Sequence, residues 1–85
     1  MNTDLITVTD VPIILFGDTL GSGETRLLIR NYGTKETFIG GDDVSTASMP
    51  FLAGELFDLT PARRQDEVWA VCDTGDSTEV RVMYG

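Results

Sequence analysis

A chain of 85 residues and 9.3 kDa has room for one domain, and surface scaling buries about 63% of its unfolded area, which leaves a thin core. Hydrophobic residues at 41%, charged residues at 24% and a mean hydropathy of zero point to a globular domain rather than a disordered tail. The net charge is -8, and the cations Arg26, Arg30, Lys35, Arg63, Arg64 and Arg81 form no basic stripe, so phosphate backbones and anionic membrane surfaces are excluded as partners.

The whole of residues 1–85 reads as one β domain, with residues 1–10 as an extended N-terminal arm. Met1-Asn2-Thr3-Asp4 carries no basic n-region, and no apolar run approaches the length of a membrane span, so neither a signal peptide nor a transmembrane segment is expected. Thr7 to Phe16 is rich in β-branched and apolar residues. Pro12 interrupts it and marks an edge, a bulge or a strand start, because it has no N–H to give to a ladder. Gly17 to Glu24 is a loop by composition. Thr25 to Tyr32 predicts a strand with Leu27 and Ile29 on one face and Arg26 and Arg30 on the other, the second face only partly wet because Leu28 shares it. Asn31 to Lys35 supplies a turn, and Glu36 to Ile39 a short second strand.

Gly40 and Gly41, followed by Asp42-Asp43, predict an irregular turn at positive φ. Pro50 argues against a helix through Val44 to Met49. Leu52-Ala53-Gly54-Glu55 leads into a strand over Leu56 to Leu59, with Gly54 as a turn residue. Thr60 to Asp66 predicts a short helical turn, Thr60 capping and Pro61 at the first helical position. Glu67 to Cys72 and Thr78 to Tyr84 predict a hairpin around Asp73 to Ser77, with Gly75 in its turn. The alternation of Val80, Val82 and Tyr84 with Glu79, Arg81 and Met83 is the cleanest in the chain. Strand-sized segments with no long amphipathic helix give an all-β fold, a small antiparallel sandwich or barrel.

Few residues carry chemistry. The chain has no histidine, which removes histidine-based catalysis and histidine metal sites, and Cys72 alone cannot form an intrachain disulfide. Cys72 reads as a small buried hydrophobe in a reducing compartment. Asp73-Thr74-Gly75 matches the aspartic-protease tripeptide, but only ten residues follow it, too few for a flap and a second glycine motif, so a plain turn is preferred. Asp42 and Asp43 are adjacent rather than alternating, unlike an EF-hand loop, and read as a solvated turn. Gly21-Ser22-Gly23-Glu24 lacks the lysine of a phosphate-binding loop. No catalytic residue, metal ligand or cofactor is expected. Trp69 and Tyr84 are core packing first and interface anchors or ligand platforms second. Arg63-Arg64 is a basic spot that marks a candidate partner contact, although exposed arginines are commonly just solvated.

The strings Arg26-Leu27-Leu28-Ile29-Arg30-Asn31-Tyr32-Gly33, Thr37 to Val44, Pro50 to Glu55, Val68-Trp69-Ala70-Val71 and Ser77 to Val82 together resemble small structural domains of tailed bacteriophages. The likeness covers about residues 25 to 84 and consists of turns and hydrophobic spacing; Met49-Pro50-Phe51 and the Thr60 to Asp66 insertion depart from it. It implies a β-sandwich made in the host cytoplasm and placed on the virion. The expected role is that of a non-enzymatic decoration protein binding the major capsid protein as a homo-oligomer, a trimer first, with a carbohydrate-binding or adhesin module of a head or tail fibre as the alternative. The acidity suits solubility at high copy number.

Overall fold

The alternating apolar residues are distributed over two walls facing one core. The computed structural model describes residues 2–17, 23–63 and 65–85. Its strands are β1 (Asn2–Val8), β2 (Ile13–Phe16), β3 (Glu24–Thr25), β4 (Leu27–Asn31), β5 (Thr37–Gly40), β6 (Met49–Phe51), β7 (Leu56–Asp58), β8 (Ala62–Arg63), β9 (Val68–Cys72) and β10 (Thr78–Tyr84). They form a first sheet in the order β1-β10-β4-β7, a second in the order β2-β9-β5-β6, and a two-stranded ribbon of β3 and β8. All pairings are antiparallel. The fold is thus the expected all-β antiparallel sandwich, and its 12.0 Å radius of gyration is that of a folded chain of this length.

The first sheet contributes Val8, Leu27, Ile29, Val80 and Val82 to the core, and the second contributes Leu15, Phe16, Ile39, Phe51, Ala70 and Cys72. In the first sheet Ile29 lies between Val82 and Phe57. This is the Leu27/Ile29 and Val80/Val82 alternation read from the sequence. Leu15 and Phe16 are consecutive yet both buried, because the β2 pairing with β9 shifts between Ile14 and Phe16 and the extra residue re-aims a side chain inward. Pro12 directly precedes β2 and Pro50 lies in β6, both edge strands, where a missing N–H is tolerated. A smaller cluster of Phe38, Val44 and Val71, with Trp69 against it, covers part of the second sheet's outer face.

Several local expectations change. Residues 2–8 pair along their whole length with β10, so the N-terminal arm is an edge strand, held by the inward-facing Ile6 and Val8. The predicted β9–β10 hairpin is a crossover between sheets. Ala70 and Cys72 line one wall and Val80 and Val82 the other, and the connection Asp73–Ser77 bridges the spacing of about 10 Å between packed sheets. Likewise the turn after Asn31 leads to the opposite sheet, not back along β4. Gly33 there lies so close to β10 that a Cβ would meet the Thr78 hydroxyl and sit 2.7 Å from the Glu79 nitrogen.

Thr60 to Asp66 is not a helical turn, since Ala62–Arg63 pairs with Glu24–Thr25. The Thr60 hydroxyl accepts the Leu27 N–H at 3.1 Å instead of capping its own segment. Thr60 also lowers the pKa of Asp58, chiefly through its hydroxyl and then through its N–H, which donates to the carboxylate at 3.0 Å. Gly40 and Gly41 do not reach positive φ, because Gly40 closes β5 in extended pairing with Trp69. Gly54 and Gly75 do, at 83° and 82°.

Candidate functional site

Successive residues of a strand point to opposite faces, so the register fixes what the first sheet shows to solvent. Leu5, Arg81, Arg30 and Leu56 stand side by side across its four strands, a row about 14 Å wide at the usual strand spacing. Met83 and Leu28, both half-buried, sit in the adjacent row between Thr3 and Asp58. Tyr32 extends the outward series of β4, and its N–H donates to the Glu79 carbonyl at 2.8 Å, holding it beside β10. The guanidinium carbons of Arg30 and Arg81 lie 5.1 and 4.4 Å from the Tyr32 ring centre, within cation–π range.

This cluster is exposed. Leu5, Leu56 and Tyr32 keep 58%, 53% and 52% of their surface in solvent. Among the described residues the one ion pair joins Arg63 to Asp66 at 3.6 Å, so Arg30 and Arg81 have no carboxylate partner. Two cations beside an exposed aromatic ring, flanked by leucines, can bind an anionic group and cover an apolar one.

The residues singled out from the sequence do not converge. Trp69 is half-buried on the second sheet's outer face against Phe38, Val44 and Val71, with its indole N–H donated to Glu67 at 2.9 Å. Tyr84 lies at the open side of the sandwich, edge-on to Phe16 at 5.6 Å, its hydroxyl donating to Asp4 at 3.4 Å. There a cleft of about 390 Å³ opens between β1 and β2, with Ile6, Ile14, Leu15 and Phe16 as its apolar walls. Arg63 is exposed on the ribbon, paired to Asp66, and Arg64 lies outside the described residues. Gly17 and Gly23 flank residues 18–22 of the predicted loop, which also lie outside them. Asp42 and Asp43 are exposed in a turn closed by the Val44 N–H on the Gly41 carbonyl at 3.1 Å. Among the described residues no three Asp, Glu or Cys groups converge to hold a metal. Asp73-Thr74-Gly75 is a turn in which the Gly75 N–H donates to Asp10 at 3.1 Å.

The Arg30, Tyr32 and Arg81 cluster was not found from sequence. Alternation placed both arginines on the outward faces of their strands, yet only the pairing of β4 with β10 makes them neighbours. Comparison with known proteins gives no match to a family model, a curated protein or a solved structure.

Cys72 is buried, its thiol directed at the Val8 carbonyl at 3.5 Å. Burial raises its pKa, so its proton is retained in the folded protein where the unfolded chain loses it, and stability falls as pH rises above the ordinary thiol pKa of about 8.5. At pH 8 the folded protein should therefore fail to react with an aromatic disulfide reagent and react fully once denatured. Prompt reaction of the folded protein would contradict this burial.

Proposed function

We propose that this protein is a non-enzymatic structural protein of a tailed-phage virion, a decoration protein that binds the assembled capsid and stabilises it. The observation that carries the reading is the outer face of the first sheet, a four-stranded surface with exposed leucines and two arginines that pair with no carboxylate among the described residues, on a domain measuring 36 × 23 × 17 Å. Such a rigid face suits a protein surface better than a small substrate. The likeness of residues 25–84 to small structural domains of tailed phages supports the same reading.

The partner is the major capsid protein, with three copies of this chain grouped around a threefold position. Each bound copy favours the assembled shell by mass action, and symmetric placement multiplies weak contacts through avidity. The adhesin alternative draws less support, because Trp69 and Tyr84 are half-buried and their polar ends are bonded within the protein.

Particles lacking the protein should assemble but rupture at lower temperature, and added purified protein should restore them. Attachment should slow as salt rises, since part of the docking force is electrostatic. Thermal rupture with and without added protein, together with bound copies per particle, measures this. No binding to depleted shells, or a location only on tail fibres, would reject decoration.

A further inference from the structure

Arg30 and Arg81 stand directly opposite each other across β4 and β10, a placement of like charges that destabilises a sheet. The chain has fourteen Asp and Glu residues, yet among those described none forms an ion pair with either arginine. Tyr32 lies close to both guanidiniums, at 5.1 and 4.4 Å. Its negative ring face offsets part of their repulsion and limits their freedom. A guanidinium has five N–H donors, so one held beside an aromatic ring can still donate to an acceptor. Leu5 and Leu56 close the row on either side.

We infer that Arg30, Tyr32 and Arg81 form a carboxylate-binding site, taking an Asp or Glu side chain from an acidic, leucine-rich segment of a protein partner. The inference rests on the decoration reading and names the chemistry of the capsid segment that is gripped. One carboxylate has two oxygens, each able to accept from a different guanidinium, so it matches two adjacent cations and removes their mutual repulsion. Apolar side chains beside it would cover Leu5 and Leu56 and exclude water, strengthening the charge contact. A nucleic acid is a poorer fit, because a phosphate track needs a run of cations, whereas this row holds two arginines between leucines.

The test uses two fluorescein-labelled short peptides, one alternating glutamate and leucine and one alternating glutamine and leucine, together with capsids depleted of the protein. Fluorescence anisotropy compares wild type with Arg30→Gln/Arg81→Gln and with Arg30→Lys/Arg81→Lys. Circular dichroism melts check that each variant is folded. The glutamate peptide should bind wild type, and binding should weaken about 30-fold with the glutamine peptide or the glutamine variant, the loss expected when a charge pair is broken. The lysine variant should recover only part of it, having charge without the planar fork. Equal binding of the two peptides, or of wild type and the glutamine variant, overturns the site. Self-association of wild type that disappears in the glutamine variant, seen by sedimentation velocity, assigns the face to a second copy and also overturns it. Capsids that bind wild type and the glutamine variant equally remove the site and leave decoration standing. Arginine-dependent binding of the glutamate peptide without binding to capsids removes decoration and leaves the site standing.

Discussion

Asn31→Ala should destabilise the protein by about 2–5 kcal/mol, since each buried polar group left without a partner costs about 1–3 kcal/mol. Asn31 is fully buried at the end of β4. Its amide donates to the Lys35 carbonyl at 2.8 Å and to the Phe51 carbonyl at 3.2 Å. Its oxygen accepts the Gly33 N–H at 3.1 Å and the Thr78 hydroxyl at 2.7 Å. One side chain therefore joins β4 to β6, to β10 and to the turn that crosses between sheets. Alanine leaves the Phe51 carbonyl and the Thr78 hydroxyl without this partner in the interior, while Gly33 keeps its second acceptor, the Glu79 carbonyl at 3.0 Å. A chain of this length has a total stability of about 4–13 kcal/mol, so the loss is a large part of the whole. Urea denaturation measures the loss. Asp42→Ala, in an exposed turn, should change stability by less than about 0.5 kcal/mol, and an equal midpoint for the two variants would contradict the role of Asn31.

Phe51→Ala should be comparably severe, at about 3–5 kcal/mol. Phe51 is fully buried in β6 and stacks on Phe57 with ring centres 4.6 Å apart, an interaction between the two sheets. Truncation removes one of the largest side chains from a core made mostly of Val, Leu and Ile. The strands around the void are tied by their ladders and cannot collapse fully into it. Because the Phe51 carbonyl is also an acceptor for Asn31, the two truncations should be non-additive in a double-mutant cycle. A Phe51→Ala midpoint near that of wild type would show that the sandwich is not closed around this ring.

The fold class was legible because its strands have one wet and one dry face. Leu27 and Ile29 against Arg30, and Val80 and Val82 against Arg81, alternate as the structure requires. Pro12, which has no N–H for a ladder, marked an edge, a bulge or a strand start, and it directly precedes the edge strand β2. Pairing was less legible, since period-2 alternation identifies a buried face without saying which wall of the core it lines. That is why the Asp73–Ser77 connection read as a hairpin. Asn31 read as a turn residue, while its partners Phe51 and Thr78 lie on strands distant in sequence. The candidate site was hidden for the same reason, because Arg30 and Arg81 belong to segments that only the sheet order makes adjacent. Trp69 and Tyr84 drew notice by size alone, and both sit where a large ring with one polar atom packs at a core margin.

The most direct measurement is cryo-electron microscopy of depleted capsids after addition of the purified protein. Density for the domain is expected at threefold positions of the capsid, with β10 and β4 of the first sheet facing the shell and Arg30, Tyr32 and Arg81 against an acidic segment of the major capsid protein. Density confined to the tail, density with the first sheet turned to solvent, or capsids left bare would contradict it.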